Sequence, residues 1–245
     1  QLITTANTTD PDGYTGVKAN MSGRALSSGL GSTNISGIEN IKGTIFKDLI
    51  TGDTGDNSLD GYSGNDLISG GAGKDYLLGG DGDDTLRGDS GVDIYDGGAG
   101  EDILDFYSAT GRVVVDLTAV NIVTDDGYGN TETAVTGIEN IGGTSTYNDT
   151  LTGDNNANKI YGYGGNDSLY GLGGVDTIFG DTGNDNIYTG TGIGDVALGE
   201  GGTDTLYGNF DSDFLIGGIV SSTLIEDLDL DWINLTSTTT GVVLD

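Results

Sequence analysis

Apolar side chains recur at nine-residue intervals along two stretches of the chain, and an Asp or Asn stands two positions before each of them. A short strand that points its middle residue inward and its neighbours outward would place each apolar residue in a core. We therefore expect two blocks, or eighteen residues, to form one turn of a roll with two parallel sheets. The inward positions are Leu59, Ile68, Leu77, Leu86, Tyr95, Leu104, Ile160, Leu169, Ile178, Ile187, Leu206 and Leu215.

The residues between these apolar positions keep the same register. Residues 52–105 divide without a gap into six blocks of nine, and a second array follows Asp149 with one ten-residue block at 189–198. Gly is frequent at the first, second and fourth places, which suits positive φ angles and close backbone approach. The sixth place is Asp in most blocks. A solvated acidic surface would need no such register, so we favour turns with a specific structural role.

A longer repeat encloses the two arrays. The segment SGIENIKGT at 36–44 reappears as TGIENIGGT at 136–144, and each copy leads into an array. We expect a tandem array of such long units that continues past both ends of the chain. The predicted divisions are a β-rich linker segment at 1–42, a first roll at 43–105, a β-rich linker at 106–143, a second roll at 144–218 and the start of a third unit at 219–245.

The linkers have the pattern of ordinary β structure. Residues 112–119 (RVVVDLTA) are β-branched and partly alternating, which predicts a strand. Residues 125–130 (DDGYGN) predict a turn. We expect irregular or partly strand-like structure in residues 1–35 and no helix anywhere.

The charge of the chain adds a requirement to this fold. Its 39 acidic and 8 basic residues give a formal charge of −31, and self-repulsion of that size opposes a compact state unless cations neutralise it. The core is also thin, with one inward side chain per nine residues, so we expect folding to depend on a bound cation. Nucleic acid and anionic membrane surfaces are disfavoured partners, because both require basic patches.

The residue types that are missing narrow the chemistry further. The chain has no Cys and no His, which excludes disulfides, zinc centres and Cys or His nucleophile systems. No apolar run approaches the length that spans a bilayer. Residues 1–10 lack the basic start and apolar stretch of a signal peptide.

The nine-residue blocks resemble the GGxGxDxUx nonapeptide of the RTX, or haemolysin-type, calcium-binding family. GGAGKDYLL at 70–78 and GGDGDDTLR at 79–87 match every defined place, and the resemblance covers residues 43–105 and 144–218. It implies an all-β fold, a right-handed parallel β-roll in which blocks n and n+2 stack on one edge. It also implies that calcium lies in the turns, bound by sixth-place carboxylates and by backbone carbonyls, with about six oxygen ligands.

The resemblance assigns the ligands by edge and predicts several calcium ions. In the first roll one edge carries Asp48, Asp66, Asp84 and Asp102, and the other carries Asn57, Asp75 and Asp93. In the second roll the edges carry Asp149, Asp167, Asp185 and Asp204, and Asn158, Asp176, Asp195 and Asp213. The glycines that belong to these turns are Gly61, Gly64, Gly70, Gly71, Gly73, Gly79, Gly80, Gly82, Gly88, Gly91, Gly97, Gly98, Gly100, Gly162, Gly165, Gly171, Gly174, Gly180 and Gly183.

Four departures from the family pattern affect the predicted sites, and the first two predict weaker binding. Asn57 and Asn158 each remove a charge from the first complete block of an array. The insertion at 189–198 shifts Asp195 by one place, which weakens the case for its site. Asp211 stands where Gly is usual, so we expect a distorted last turn.

The ninth place of each block faces outward, and in the second array it is aromatic or aliphatic. One face would carry Tyr170, Tyr188 and Tyr207, and the opposite face Tyr161, Phe179, Leu198 and Ile216. A continuous outward apolar ladder often marks an interface. One hypothesis is that the aliphatic face is covered by a linker or another molecule and that the tyrosines stack sugars. The alternative is cross-strand packing that only stiffens the sheet.

Catalysis is not expected of this chain. The carboxylates outside the register include Glu39 and Glu139, which recur in the GIEN motif and suggest a structural role, and the basic residues are scattered. Two roles stay open: a calcium-rigidified region of a large bacterial surface or matrix protein, of adhesin, surface-layer or filament type, or the export and folding module of a secreted toxin or hydrolase. The copied long unit favours the first. An ice-binding role would need a flat outward row of Thr and Asn that the sequence lacks.

Both roles imply that the chain is extracellular or lies on the bacterial cell surface. The family resemblance implies export of an unfolded chain, through a one-step secretion channel. Low calcium inside the cell would keep the chain unfolded, and millimolar calcium outside would fold it, within the affinity range of extracellular calcium modules. We expect partners to be calcium, neighbouring modules or copies of the chain, and possible surface polysaccharide.

Overall fold

A computed structural model describes residues 18–20, 25–28, 31–33, 38–119, 122–132, 134–208, 213–217 and 232–233. These residues form strands, turns and bends, and none of them is helical. The first strands are β1 Lys18–Asn20, β2 Ala25–Ser28, β3 Gly31–Thr33, β4 Asn40–Lys42, β5 Leu49–Thr51, β6 Ser58–Ser63, β7 Leu67–Ala72, β8 Tyr76–Asp81, β9 Thr85–Ser90, β10 Ile94–Ala99, β11 Ile103–Asp105 and β12 Val113–Asp116. They are followed by β13 Val123–Asp126, β14 Ala134–Thr136, β15 Asn140–Gly142, β16 Thr150–Thr152, β17 Lys159–Tyr161, β18 Ser168–Tyr170, β19 Thr177–Phe179, β20 Asn186–Tyr188, β21 Val196–Leu198, β22 Thr205–Tyr207, β23 Phe214–Ile216 and β24 Trp232–Ile233.

The strands belong to two compact units. The first unit comprises Gln1–Phe106 and Val120–Ile138, and the second comprises Tyr107–Ala119 and Glu139–Asp245. Each unit contains one of the two repeat arrays predicted from the sequence. The predicted five-part division of the chain stays a prediction.

In the first unit, strands of alternate blocks lie side by side. One sheet runs β11-β9-β7-β5-β1-β2-β3, and it is parallel from β11 to β1 and antiparallel from β1 to β3. The other runs β14-β10-β8-β6-β4 and is parallel throughout. Because each strand pairs with the strand two blocks away, two blocks make one turn, as the eighteen-residue period predicts.

The second unit repeats this arrangement with shorter strands. One sheet has the order β15-β17-β19-β21-β23 and the other β12-β16-β18-β20-β22-β24, all parallel. Its array strands keep the three residues predicted for places seven to nine, whereas β6 to β10 in the first unit extend over six residues. Past the short strands, the described residues of this unit pair in isolated bridges from Gly164 to Thr182 and from Thr182 to Gly201.

The cores are stacks of the predicted eighth-place side chains. Eleven of the twelve predicted residues, from Leu59 to Leu206, are at most 1% exposed, and Ala197 of the ten-residue block joins them. Leu215 is the exception, since it is only half-buried in β23. The neighbouring outward residues are partly exposed, which gives each short strand its alternation of exposed and buried positions. Asp105 departs from the outward expectation for the ninth place: it is buried, and its Oδ2 accepts a hydrogen bond from Arg87 Nε at 2.7 Å.

The linker predictions are partly confirmed. A strand does occur within 112–119, at β12, and a turn does follow β13, where Asp126 N–H donates to the Asn130 carbonyl at 3.2 Å. The predicted irregular segment at 1–35 and the third unit from 219 onward lie mostly outside the described residues.

Candidate metal centre

The sixth-place side chains form one ladder along each edge of both rolls. In each step the Oδ1 atom of an Asp accepts a hydrogen bond from the backbone N–H of the sixth-place residue two blocks earlier. In the first roll the donor–acceptor pairs are Asp48–Asp66, Asp66–Asp84 and Asp84–Asp102 at 2.7 Å, and Asn57–Asp75 and Asp75–Asp93 at 2.8 Å. In the second roll they are Asp149–Asp167, Asp167–Asp185, Asp185–Asp204 and Asp176–Asp195 at 2.8 Å, Asn158–Asp176 at 2.9 Å and Asp195–Asp213 at 3.2 Å. The two edges predicted for each roll are therefore present.

The second carboxylate oxygen of many of these aspartates is buried without a hydrogen-bond partner. This holds for the Oδ2 atoms of Asp66, Asp75, Asp84, Asp167, Asp176, Asp185 and Asp195. Buried polar atoms are almost always paired, and each exception needs an explanation such as a bound ion. A repeated, identical exception along both edges indicates that a cation is the missing partner.

A backbone carbonyl lies close to these oxygens over the first-place glycine of the block, except at Asp195, whose block begins with Thr189. At Gly162, an added Cβ atom would lie 2.6 Å from Asp167 Oδ2 and 2.8 Å from the Gly180 carbonyl oxygen. The same two kinds of oxygen meet over Gly180, where the distances are 2.5 Å to Asp185 Oδ2 and 2.8 Å to the Gly199 carbonyl. The first place is Gly because a side chain would fill this oxygen-lined space.

The second and fourth places need Gly for another reason. Most glycines at these places have positive φ, as at Gly80 (φ 115°) and Gly165 (φ 127°), whereas the first-place glycines do not. Of the two reasons expected for Gly, positive φ and close backbone approach, only close approach therefore applies at the first place. The turn imposes the left-handed conformation even on larger residues at the second place. These residues are Tyr62, Asp89, Tyr163, Leu172, Asp181 and Glu200, with φ between 63° and 78°.

Burial disfavours ionisation of the sixth-place carboxylates when no cation is bound to them. Loss of hydration, partly offset by the hydrogen bond from the backbone N–H, raises the pKa of Asp66 and Asp167 to about 8. The same cause raises the pKa of Asp93 and Asp185 to about 7 and that of Asp75, Asp84 and Asp176 to about 6. A roll with ionised aspartates therefore needs a compensating positive charge within these turns.

The first turn on each edge is built differently. Thr44 N–H donates to Asp48 Oδ2 and Thr144 N–H donates to Asp149 Oδ2, both at 2.6 Å. The amide oxygens of Asn57 and Asn158 likewise accept hydrogen bonds at 2.8 Å from the backbone N–H of the second residue of their own blocks, Asp53 and Asp154, respectively. In these four predicted ligands, a backbone N–H donates to the oxygen that corresponds to the unpaired Oδ2 of Asp66 and the other aspartates named above.

The ten-residue block keeps the register that the sequence put in doubt. Asp195 Oδ1 accepts from Asp176 N–H, and its own N–H donates to Asp213, so the extra residue is absorbed before Asp195. Gly194, with φ 85°, lies in the bend directly before Asp195. Asp213 is half-buried and its Oδ2 accepts from Thr189 Oγ1 at 3.0 Å. Asp211 lies outside the described residues.

The donor set fits calcium. Every candidate ligand is an oxygen, either carboxylate or backbone carbonyl, and hard cations such as Ca²⁺ take six to eight such ligands. Among the described residues, no group of three or more acidic side chains could hold a metal by itself. Carbonyls from the stacked turns would therefore complete each site, and calcium bound there would supply the charge that neutralises the buried carboxylates.

A second ladder, which the sequence reasoning missed, runs through the fifth place. Asn148 Oδ1 accepts from Asn166 N–H, Asn166 Oδ1 from Asn184 N–H, both at 2.8 Å, and Asn184 Oδ1 from Thr203 N–H at 2.6 Å. These bonds satisfy backbone donors that the turn would leave unpaired. Asn at eighteen-residue spacing was visible in the sequence and could have revealed this ladder.

The outward ninth-place residues differ between the units. In the second unit Tyr170, Tyr188 and Tyr207 stack with ring centroids 4.8 and 4.3 Å apart, and Tyr161 stacks on Phe179 at 5.0 Å. The parallel pairings align Phe179, Leu198 and Ile216 on the sheet that carries Tyr161. The first unit has ion pairs at this place instead, Lys42 with Asp60 and Arg87 with Asp105. The predicted composition of both faces is confirmed; their use as interfaces stays a prediction.

Comparison with known families agrees with this geometry. The family model for the RTX calcium-binding nonapeptide repeat, which spans four copies, matches residues 42–77, 69–104, 144–178, 170–192 and 189–224, more than half of the chain. Comparison with curated proteins gave no match. No helix in the described part of the chain is long and apolar enough to cross a membrane.

Proposed function

Because the chain belongs to the RTX calcium-binding nonapeptide repeat family, we propose that it is a calcium-dependent structural region of an exported bacterial surface or matrix protein. Proteins of adhesin, surface-layer or filament type are the class we have in mind. RTX repeats occur in secreted bacterial proteins, and their β-roll is a structural fold. In this role calcium would convert a polyanionic chain into a stiff element outside the cell.

The observation that carries the proposal is that the segment leading into each array has the same structure in both copies. β4 and β15 come from the two GIEN segments, and each pairs with the first array strand of the same sheet, β6 or β17. Ile41 and Ile141 are buried in these strands. An export module needs no second copy of this start, whereas a spacer lengthens by copying it.

The two starts also share a cap. In the first, Phe46 N–H donates to Thr44 Oγ1 at 3.1 Å, and in the second Tyr147 N–H donates to Thr144 Oγ1 at 2.9 Å. In both, the backbone N–H of the threonine holds the first Asp of the roll. Repetition of side-chain contacts, and not only of sequence, supports two equivalent structural modules.

The buried carboxylates support calcium as the switch between the exported chain and the folded roll. Without a cation, burial of many ionised aspartates opposes folding, and the net charge of −31 adds repulsion. Ligand binding that occurs only in the folded state shifts the equilibrium toward that state. Scarce calcium inside the cell would thus keep the chain unfolded for export, and abundant calcium outside would fold it.

The stacked rings bear on what the second unit would contact. Tyr188 lies between Tyr170 and Tyr207 with interplanar angles of 6° and 2°, so both of its faces point at neighbouring rings. A sugar would need an open ring face, and an inner ring of this stack offers none. We propose that neighbouring modules or other copies of the chain meet the opposite face, which carries Phe179, Leu198 and Ile216.

Calcium-dependent assembly tests the surface role. Light scattering and electron microscopy of the chain, with calcium added to chelator-treated protein, should show ordered particles that dissolve in chelator. The double variant Phe179→Ser with Ile216→Ser should fold with calcium but assemble less, and the double variant Tyr170→Ser with Tyr207→Ser serves as the control on the other sheet.

Two results would count against the proposal. The first is a calcium-folded chain that stays monomeric at all concentrations. The second is that fusion of this chain to a passenger protein restores export through a one-step secretion channel. Together they would support the export and folding module instead.

A further inference from the structure

The linker after the first array folds back onto the roll as a hairpin. β13 (Val123–Asp126) ends in a turn in which Asp126 Oδ1 accepts from the N–H groups of Tyr128 and Asn130, both at 2.8 Å. The returning chain forms an antiparallel bridge from Val123 to Glu132, with Glu132 N–H donating to the Val123 carbonyl at 2.9 Å. β14 then joins the sheet beside β10. This path places Glu132 at the end of the roll.

Glu132 takes the position that the next sixth-place Asp would occupy. Its Oε2 accepts a hydrogen bond from Asp93 N–H at 2.5 Å, just as Asp93 Oδ1 accepts from Asp75 N–H. Glu132 is completely buried, and its Oε1 has no hydrogen-bond partner. Like the sixth-place aspartates, Glu132 therefore has one carboxylate oxygen bonded to a backbone N–H and one without a hydrogen-bond partner, although it lies outside every nine-residue block.

Tyr95 supplies the oxygen that the missing block cannot. At Gly70, an added Cβ atom would contact Asp75 Oδ2 and would lie 2.9 Å from the Gly88 carbonyl oxygen. Over Gly88 the nearest atom to an added Cβ is the Tyr95 hydroxyl oxygen, beside Asp93 Oδ2, in the place that the carbonyl takes over Gly70. This explains why Tyr95 is aromatic at an eighth place where the others are aliphatic. Its hydroxyl donates a hydrogen bond to Asp93 Oδ2 at 3.5 Å, a long contact that a calcium ion bound by both oxygens would replace.

The same linker continues the other edge with a backbone oxygen. The Gly137 carbonyl approaches Gly97 in the way that the Gly97 carbonyl approaches Gly79. Asp102 and Asp84, respectively, lie beside these two contacts. The linker thus reproduces the oxygen pattern of a further turn on both edges without the nonapeptide sequence.

We propose that Glu132, Asp93 and the Tyr95 hydroxyl hold one further calcium ion, so that the 123–132 hairpin is locked onto the first roll by metal. The inference rests on the proposed calcium-dependent function and adds a ligand from the linker to it. Backbone carbonyls and water complete the oxygen shell, as at the repeat turns. Asp126, also buried, interacts electrostatically with Glu132 and Asp93 and adds negative charge beside the site.

Long-wavelength diffraction from crystals of the whole chain grown in calcium tests the site in the unmodified protein. The expected result is an anomalous peak about 2.3–2.6 Å from Glu132 Oε1, together with peaks in the repeat turns. Peaks in the turns but none beside Glu132 would overturn this inference and leave the proposed function standing. If the turns also lacked peaks, the calcium role itself would fail.

Calcium stoichiometry gives a second, independent readout. In equilibrium dialysis, Glu132→Gln should bind one ion fewer per chain, or bind it at least about tenfold more weakly, as losses around metal sites generally do. Glu39→Gln makes the same charge change at an exposed linker position and should bind the full number. A folded Glu132→Gln variant with unchanged stoichiometry and affinity would contradict the proposal. If that variant does not fold, the diffraction result alone decides.

Discussion

The backbone N–H of Asp176 donates a hydrogen bond to Asp195 Oδ1 at 2.8 Å, although nineteen residues separate them. The Asp185–Asp204 step also spans nineteen residues, whereas the remaining array steps have eighteen. The strands on either side stay in register, since Thr177 pairs with Val196 and Phe179 with Leu198. The extra residue is accommodated in the turn before Asp195. The ladder is therefore set by the stacking of turns and not by a strict count of residues.

Asp195 should consequently be a full member of the calcium ladder. Asp195→Asn is expected to raise the calcium concentration at the folding midpoint, as Asp176→Asn should, because each removes a buried carboxylate with an unpaired Oδ2. We expect each site to weaken roughly tenfold or more. Circular dichroism during calcium titration measures the midpoint. Asp81→Asn, at an exposed position, is the charge control, and an Asp195→Asn midpoint equal to that control would contradict the prediction.

Asn158 should resist replacement by the family consensus residue. Its Nδ2 donates to the Glu139 carbonyl at 2.7 Å, and its Oδ1 accepts from Asp154 N–H at 2.8 Å. Asn158→Asp loses the donor and sets an anionic oxygen against a carbonyl. We expect the free energy of unfolding in saturating calcium to fall by roughly 1–3 kcal/mol, measured by denaturant titration.

Asn57→Asp is the matched comparison for that change. The Asn57 amide reaches its nearest acceptor, Asp53 Oδ1, only at 3.5 Å, so this variant should lose less stability. Tighter calcium binding by Asn158→Asp than by the unmodified chain would show that the cap is a calcium site after all.

Acid should partly replace calcium. The folded-state pKa of Asp66 and Asp167 is raised to about 8 from an ordinary value of 3.8, chiefly by burial. Stability of the calcium-free roll is therefore highest below the ordinary pKa and falls as the pH rises through the folded-state pKa, because the folded state retains protons that the unfolded state releases. In chelator, circular dichroism should show more β structure near pH 4 than at pH 8. Equal or greater β content at pH 8 would refute this linkage.

The tyrosine stack should stabilise the second unit, and its central ring should matter most. Tyr188 stacks on two rings and Tyr170 on one, and each stacked pair contributes about 0.5–1.5 kcal/mol beyond its buried area. In saturating calcium, Tyr188→Leu should therefore lower the free energy of unfolding by about one stack more than Tyr170→Leu does. Denaturant titration of both variants makes the comparison. Equal losses would mean that the rings pack independently.

Much of this fold follows from the sequence because the repeats specify it many times over. Asp66, Asp84 and their counterparts recur at the spacing of one turn, and Leu59 to Leu104 mark the core in the same register. One missed contact at a single block would not have changed the predicted roll. The pairing of alternate blocks and the composition of both outward faces were predictable for the same reason.

The ends of the first roll were not predictable in this way. Glu132 reaches the ladder through a hairpin whose course depends on the turn at Asp126, and nothing in its local sequence marks it as a ladder residue. The Oδ2 atoms of Asp48 and Asp149 are occupied by hydrogen bonds from Thr44 and Thr144, which spacing does not reveal. A periodic pattern predicts what repeats, whereas caps are unique contacts that only the folded chain shows.

The most direct test of the account is calcium titration of chelator-treated chain, followed by far-ultraviolet circular dichroism, with magnesium as the control. Aspartates such as Asp66 and Asp167 bury an unpaired oxygen that only a bound cation satisfies, so we predict a cooperative coil-to-β transition with calcium. Magnesium should produce none, since it demands stricter octahedral geometry and gives up its water reluctantly. A chain that is already rich in β structure in chelator at neutral pH, and indifferent to calcium, would contradict the account.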